Sequence, residues 1–177
     1  VDESGVSITA TGLDIIKIDT SADILNATVL NGKTLTVQGD GGATDQLGVT
    51  ATTASQVLDF SNISIDQTLS AGLKGLAITT NNGTNTVTGT AGGDDVTGGT
   101  GVDTISTGAG ADTVTGGTGN DVITLGEGAD KVVLNGGTDV VTLTETTAAV
   151  DTVTVDIGGA TITGFDFGGT ASDDNIE

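Results

Sequence analysis

The sequence lacks six residue types that carry much of protein chemistry. No cysteine, histidine, methionine, proline, tryptophan or tyrosine occurs among its 177 residues, and phenylalanine occurs three times. The absence of cysteine excludes disulfides, zinc-thiolate sites and thiol catalysis. Because histidine and tyrosine are absent and all four basic residues are lysines, nucleophilic triads and most general-base arrangements are excluded. We therefore expect no catalytic residues and no enzymatic activity in this chain.

Positive charge is also scarce. The chain has 24 acidic and 4 basic residues, and its formal net charge is -20. Such a surface repels nucleic acid phosphates and acidic lipid headgroups, and it attracts cations. No segment approaches the roughly 18 to 20 apolar residues of a membrane span. We expect no nucleic-acid partner and no membrane insertion. Because the carboxylates are spread singly among Val, Ile and Thr, the pattern favours a folded, strand-rich chain.

A nine-residue repeat runs without insertion from Thr80 to Thr142. Its seven units read TNNGTNTVT, GTAGGDDVT, GGTGVDTIS, TGAGADTVT, GGTGNDVIT, LGEGADKVV and LNGGTDVVT. The fourth place is always Gly, which permits tight turns. The eighth place is Val or Ile, and it predicts a short strand with one inward side chain. Two units then form one coil of about 18 residues, and coils must stack to bury their apolar column.

Stacking brings like charges together at the sixth place of the repeat, which is always Asp or Asn. At a coil spacing of roughly 4.8 Å, adjacent carboxylates repel by about 1 kcal/mol per pair even at the dielectric constant of water. Lys131 is the only lysine in the tract and cannot neutralise every turn. A hard cation with roughly six to eight oxygen ligands can, which favours calcium over magnesium and zinc. The two acidic columns are Asp103, Asp121 and Asp139, and Asp94, Asp112 and Asp130.

The units at 98–106 and 116–124 resemble the glycine-rich nonapeptide GGxGxDxUx of the RTX (repeats-in-toxin) proteins, and the resemblance is close over residues 80–142. It implies an all-β fold, a right-handed parallel β-roll or β-solenoid with calcium in the turns. It also implies that the sixth-place side chains and the turn carbonyls bind about five calcium ions. The implied ligands are Asn85, Asp94, Asp103, Asp112, Asp121, Asp130 and Asp139, with carbonyls at or near Gly92, Gly99, Gly101, Gly108, Gly110, Gly117, Gly119, Gly126, Gly128 and Gly137. Asn85 is neutral, and the units TNNG, LGEG and LNGG depart from the leading glycines, so these turns are expected to bind weakly or to cap the stack.

The segments on either side lack the nine-residue phase. Residues 1–79 alternate apolar and polar residues between turn signals, which predicts irregular β-solenoid coils or a small β-sandwich. TVLNGKTLTV fits either a hairpin or a solenoid corner at Asn31 and Gly32, and SADILNA is the best candidate for a short helix. In residues 143–177, Asp151 and Val153 resemble a displaced unit, and Asp151 is expected to matter less for calcium-dependent folding than Asp103 or Asp121. Phe165 and Phe167 are candidates to cap the stack, and we expect the chain to be a fragment of a longer protein.

Two functions fit these expectations. The composition and the coils are most similar to RTX-type bacterial surface-layer (S-layer) proteins, which implies a secreted, non-catalytic, calcium-binding lattice subunit at the cell surface. That function predicts self-association and allows a cell-surface polysaccharide as a partner. The alternative is an RTX folding or spacer module of a larger toxin, adhesin or hydrolase exported by type I secretion. Assembly with calcium separates the two, because a spacer should stay monomeric.

Overall fold

The computed structural model describes residues 14–18, 24–26, 35–39, 46–51, 55–66, 74–147, 149–165 and 174–177. Within these ranges every regular element is a β-strand. The strands are β1 (Asp14–Ile18), β2 (Ile24–Asn26), β3 (Leu35–Gly39), β4 (Leu47–Thr50), β5 (Val57–Asp59), β6 (Ile63–Asp66), β7 (Leu76–Thr79), β8 (Thr86–Thr88), β9 (Asp95–Thr97), β10 (Thr104–Ser106), β11 (Thr113–Thr115), β12 (Val122–Leu125), β13 (Lys131–Leu143), β14 (Thr152–Thr163) and β15 (Asn175–Ile176).

The described strands form three stacks in which every pairing is parallel. One stack contains β1, β3 and β6. The second runs from β2 through β4, β7, β9 and β11 to the first part of β13. The third runs from β5 through β8, β10 and β12 to the second part of β13. β14 pairs with both parts of β13, because each of these two strands continues through a turn. Parallel neighbours joined by whole coils define a solenoid, so the predicted all-β parallel fold is confirmed.

The coils change length along the stack. Before residue 80, Leu47 pairs with Leu76, 29 residues later, and the coil between them contains three described strands, β4, β5 and β6. In the repeat tract, Asp95 pairs with Thr113, 18 residues later, and each coil has two strands. The stack of β1, β3 and β6 ends where the repeats begin. A unit of nine residues has room for one turn and one short strand, so two units cannot supply a third side.

A continuous apolar column fills the inside of the coils. The eighth-place residues of all seven repeat units are at most 2% exposed, as the repeat predicts. Larger buried side chains, among them Leu47, Leu58 and Phe60, extend the same core into the earlier coils. Each of the short strands from β4 to β12 contributes one or two inward side chains, so the core is thin and depends on stacking. The eighth-place residues are Val87, Val96, Ile105, Val114, Ile123, Val132 and Val141.

Three smaller predictions have different outcomes. The best candidate for a short helix, SADILNA, contains a strand instead, because Ile24–Asn26 pairs in parallel with β4. Asn31 and Gly32, the corner of the possible hairpin, lie outside the described residues, whereas β3 pairs in parallel with β1 and β6. Phe165 is half-buried and packs against the core, as expected of a cap. Phe167 lies outside the described residues.

Candidate metal-binding turns

The sixth-place residues form two buried columns, one at each turn edge of the coils. Six of the seven lie directly before a strand, and Asp139 lies within β13, which continues through its turn. None is more than 2% exposed. One column contains Asp94, Asp112 and Asp130, and the other contains Asn85, Asp103, Asp121 and Asp139.

A hydrogen-bond ladder runs along both columns. In each coil, the backbone N–H of the sixth-place residue donates to the Oδ1 atom of its counterpart in the next coil. A carboxylate that accepts from a backbone N–H makes a strong, charge-assisted bond, so the ladder fixes the register between coils. The donor–acceptor pairs are Asp94–Asp112 (2.7 Å), Asp112–Asp130 (2.8 Å), Asp130–Asp151 (2.9 Å), Asn85–Asp103 (2.8 Å), Asp103–Asp121 (2.9 Å) and Asp121–Asp139 (2.9 Å).

The second carboxylate oxygen of most ladder residues has no partner. Five Oδ2 atoms are buried and accept no hydrogen bond within the described part of the chain. Leaving a buried charged acceptor unsatisfied costs several kcal/mol unless a positive charge compensates it. In these five residues, Oδ1 accepts the ladder hydrogen bond, and Oδ2 is left available to a cation. The five atoms belong to Asp103, Asp112, Asp121, Asp130 and Asp151.

Burial shifts the titration of these carboxyl groups. Desolvation raises the pKa of Asp94 and of Asp130 to about 7, against the opposing effect of backbone N–H donors. The same cause raises the pKa of Asp121 and of Asp151 to about 6. Burial also raises the pKa of Asp112, and the hydrogen bond from the Asp94 N–H group opposes this increase. Neighbouring carboxylates add to the shifts of Asp94, Asp121, Asp130 and Asp151.

At the first turn of the column that starts at Asn85, the protein itself supplies hydrogen-bond partners to the Asn85 side chain. The Asn85 Nδ2 group donates to the carbonyl oxygens of Asn81 (3.1 Å) and Gly83 (3.0 Å) and to Asp103 Oδ1 (3.0 Å). Asn85 Oδ1 accepts from the backbone N–H of Gln56 at 3.1 Å. The amide nitrogen thus contacts two turn carbonyls and one carboxylate, the oxygen types expected around a cation. The expectation that the turn of Asn85 binds weakly or caps the stack stays a prediction.

In the opposite column, the protein likewise supplies hydrogen-bond partners to the Asp94 side chain. Thr90 donates its backbone N–H to Asp94 Oδ2 at 2.7 Å, and its hydroxyl group lies 3.1 Å and 3.2 Å from the two carboxylate oxygens. Asp94 Oδ1 also accepts from the backbone N–H of Leu76. Both oxygens of Asp94 therefore have protein partners, unlike those of the next residues in its column. Carboxylate oxygens without a partner begin one coil further along in each column, at Asp103 and at Asp112.

The glycines let consecutive turns approach each other across the backbone. A Cβ atom added at Gly128, where φ is 127°, would overlap the carbonyl oxygen of Gly110. One added at Gly137, where φ is 124°, would overlap the carbonyl oxygen of Gly119. The fourth-place carbonyls of one turn therefore point toward the glycine of the next. This arrangement leaves room for oxygens and excludes side chains, as a carbonyl-lined cation site requires.

Three of the predicted carbonyl ligands already accept hydrogen bonds. Gly99 accepts from the backbone N–H of Thr118 at 3.1 Å, and Gly108 accepts from that of Glu127 at 3.1 Å. Gly92 accepts from the Thr90 hydroxyl group at 3.3 Å. Because a carbonyl oxygen has two lone pairs, each keeps capacity for a second partner.

The donor set fits a calcium ion better than any other common metal. Among the residues that the structure describes, no three Asp, Glu, His or Cys side chains surround one point, so carbonyl oxygens must supply most ligands. Asp103, Asp112, Asp121 and Asp130, with the turn carbonyls beside them, would hold the ions. Bound calcium would supply positive charge to the open Oδ2 atoms and link adjacent turns.

Asp151, which resembles part of a displaced unit, continues the ladder beyond the repeat tract, and its smaller expected effect on calcium-dependent folding stays a prediction. It is fully buried, accepts from the Asp130 N–H group and leaves Oδ2 open, as the repeat residues do. It follows Asp130 by 21 residues rather than 18, so it lies outside the fixed nine-residue phase. The detectable signal is local: Asp151 precedes Val153 by two residues, just as Asp130 precedes Val132.

Comparisons with known proteins identify the repeat tract. The family model described as "RTX calcium-binding nonapeptide repeat (4 copies)" matches residues 79–114 and 106–141, together just over a third of the chain. The searches of curated proteins and of solved structures gave no match. No helix of the described segments has the length and apolar character needed to cross a membrane.

Proposed function

We propose that this chain, whose residues 79–141 are RTX calcium-binding nonapeptide repeats, is a non-catalytic structural protein that calcium folds and holds together. The observation that carries the proposal is the set of five buried Oδ2 atoms without a partner, arranged along two ladders. Without cations, these charges and the net charge of -20 oppose compaction. Calcium at 100 times its dissociation constant adds roughly 2.7 kcal/mol of stability per independent site.

The proposed place of action is outside the cell, where calcium is abundant. Extracellular calcium modules bind at roughly 0.1 to 1 mM, so the roll would remain unfolded in a calcium-poor cytoplasm and fold after export. The absence of cysteine and the scarcity of lysine are compatible with this route. We propose that the finer function is that of a bacterial S-layer or lattice subunit, secreted by a type I system, that associates with copies of itself and with a cell-surface polysaccharide.

The alternative is a folding or spacer module within a larger secreted toxin, adhesin or hydrolase. The same ladders support both functions, because each needs a rigid roll that forms only with calcium. The two functions differ in the behaviour of the folded chain. A lattice subunit presents a surface that joins copies, whereas a spacer gains rigidity and stays monomeric.

A calcium titration from chelator tests the proposal, with mass and hydrodynamic radius followed by light scattering. Compaction at constant mass supports the spacer, and compaction followed by chelator-reversible growth to large assemblies supports the lattice subunit. A radius that does not respond to calcium would contradict the proposed function in both forms. Magnesium at equal ionic strength is the control, since it demands octahedral geometry and retains water.

A further inference from the structure

The outer face of the third strand stack is built from short side chains. This stack contains β5, β8, β10, β12, the second part of β13 and the second part of β14. In each strand the middle residue, such as Ile105 or Ile123, points into the core, so the residues on either side of it point outward. We call the outward residues the Thr/Val face: Val57 and Asp59, Thr86 and Thr88, Thr104 and Ser106, Val122 and Thr124, Val140 and Thr142, and Thr161 and Thr163.

Parallel pairing lines these residues up in two straight columns. Thr104 pairs with Thr86 on one side and with Val122 on the other, and the remaining outward residues pair in the same way. The register shifts between β13 and β14 lie between Leu134 and Thr138, in the turn that precedes this face. The Thr/Val face is therefore a regular surface that only stacked coils can form.

Charge distinguishes this face from the face on the other side of the roll. Asp59, at the first strand, is the one charged residue among its twelve, although the chain has 24 acidic and 4 basic residues. On the second stack, the outward residues include Asp95 and Lys131, and Lys74 lies 3.5 Å from Asp95. The Thr/Val face thus has almost no charge on a chain whose net charge is -20.

The same face exposes apolar side chains. Val57, Val122 and Val140 are 68%, 41% and 39% exposed, and all three lie in one column. Wholly parallel sheets are usually covered on both faces, and clustered exposed apolar groups mark interaction surfaces. The core covers the inner face of this sheet, and its outer face is left to a partner.

We propose that the Thr/Val face is the surface on which a second copy of this chain docks, sheet against sheet. Copies with a net charge of -20 repel each other, and the repulsion is smallest where the contact holds the fewest carboxylates. A symmetric contact also requires a patch that complements itself, and short methyl and hydroxyl groups from two sheets interdigitate. The inference rests on the lattice form of the proposed function and assigns a surface to it.

The position of Asp59 favours stacks that run in opposite directions. In that arrangement a two-fold axis passes between β10 and β12, at the centre of the face, and the two Asp59 side chains lie at opposite ends of the contact. Five strand spacings of roughly 4.8 Å place them about 24 Å apart. This separation is well beyond the Debye length of roughly 8 Å at physiological ionic strength.

The size of the face limits the strength of the contact. Strands spaced by roughly 4.8 Å, each presenting three residues of roughly 3.3 Å, give a footprint of about 250 Å² per copy and about 500 Å² for the pair. Stable interfaces bury roughly 1,200 to 2,000 Å². An isolated pair therefore dissociates readily, whereas subunits held at high local concentration in a lattice make the contact.

One substitution, made at the same repeat place on the two faces, tests the proposal. Thr104→Asp puts a carboxylate near the centre of the Thr/Val face, and Thr113→Asp is the control, because Thr113 is exposed at the same place on the second stack. Asp95 shows that this place accepts Asp. Sedimentation equilibrium of the full chain in saturating calcium gives the association constant. We expect Thr104→Asp to weaken association at least about tenfold, because it brings like charges together, and the control to keep the wild-type value.

Cross-linking detects weak pairs directly. Because the chain has no cysteine, Ser106→Cys introduces a single thiol at the centre of the Thr/Val face. Thr115→Cys places one at the same repeat place on the other face. In calcium, a short bis-maleimide reagent should join copies of Ser106→Cys and leave Thr115→Cys mostly monomeric.

The outcomes separate this inference from the proposed function. Assembly that is equal in both Asp variants and the wild type, with equal cross-linking of both Cys variants, would overturn the docking surface and leave the proposed function intact. A wild type that compacts with calcium but neither associates nor cross-links would overturn the surface and favour the spacer. Capture by an insoluble polysaccharide that Thr104→Asp abolishes, without association of copies, would assign the face to a glycan and overturn the second copy as its occupant.

Discussion

The coils before residue 80 and those of the repeat tract share one apolar core. They differ in the number of strands per coil and in the partners of their carboxylates. The coils that begin at β3, β4 and β5 have three described strands. They bury large side chains such as Phe60 and Leu58, and the partly exposed Asp59 accepts hydrogen bonds locally from Ser61. The repeat coils have two strands and bury one Asx residue at each turn. Removing the third side removes apolar burial and brings carboxylates inside. Under the proposed function, the shorter coil therefore depends on an external cation.

The largest effect is expected from filling the space between two glycine turns. Gly137→Ala places a Cβ atom on the carbonyl oxygen of Gly119 and forces an alanine to φ of 124°. The backbone strain alone costs about 1 to 3 kcal/mol, and the overlap adds to it. Urea unfolding in saturating calcium measures the loss. Gly159→Ala is the matched control, because no atom lies within 4 Å of its added Cβ. Equal stability of the two variants would contradict the close approach of turns.

The second largest effect is expected from removing the charge of a ladder carboxylate. This change should distinguish the repeat tract from the earlier coils. Asp121→Asn keeps an oxygen for the Asp103 N–H group but removes the charge that a cation needs. We expect the calcium midpoint of folding to rise about tenfold, as for the loss of roughly 1.4 kcal/mol of binding energy. Asp59→Asn changes a partly exposed carboxylate of an earlier coil and should leave the midpoint unchanged. A circular dichroism titration with calcium compares them, and equal midpoints would remove the distinction between the regions.

The calcium-free protein should gain stability in acid. The folded-state pKa of Asp130 is about 7 and its ordinary value is 3.8, so the folded chain binds more protons than the unfolded chain between these values. The stability due to this group is therefore fully present below about pH 3.8 and is lost as the pH rises through about 7. Asp94 and Asp121 act in the same direction.

Asp59 has the opposite effect on the pH dependence of stability, because the hydrogen bonds it accepts from Ser61 lower its pKa. Its small contribution is present above the ordinary pKa and is lost as the pH falls through the lowered value. Urea midpoints of calcium-free protein at about pH 4.5 and about pH 8 measure the balance, which we expect to favour the lower pH. A higher midpoint at the alkaline pH would show that the buried carboxylates are not desolvated.

The smallest effect is expected at the ion pair between the two regions. Lys74 Nζ lies 3.5 Å from Asp95 Oδ2, and the two side chains are 58% and 37% exposed. Surface pairs of this kind contribute about 0 to 1 kcal/mol. Lys74→Ala should therefore change the melting temperature of the calcium-bound protein by no more than a few degrees. A loss comparable to that of Gly137→Ala would mean that charge pairing, rather than stacking, joins the regions.

The nine-residue phase was sufficient to predict the short strands, the buried Val and Ile column and the two Asx columns. Each follows from a fixed position in a repeat that must stack. The ladder bonds from backbone N–H to Oδ1 could not be predicted, because they depend on the axial offset between coils. The sequence indicated a displaced unit at Asp151 and Val153 but not its place in the ladder, because a three-residue insertion breaks the phase while pairing of β14 with β13 restores the column. Whether residues before 80 stack or form a sandwich depends on long-range pairing, which alternation alone does not encode.

The central claim is that bound calcium supplies positive charge to the buried carboxylate columns and links adjacent turns. Residue-resolved hydrogen exchange with and without calcium tests it most directly, by comparing ladder amides with amides of the earlier coils. The Asp103 and Asp112 amides donate to carboxylates of the next coil, and the Ala51 and Phe60 amides donate to backbone carbonyls. The account predicts that calcium slows exchange at Asp103 and Asp112 much more than at Ala51 and Phe60. Equal protection of all four amides in the absence of calcium, unchanged when it is added, would contradict it.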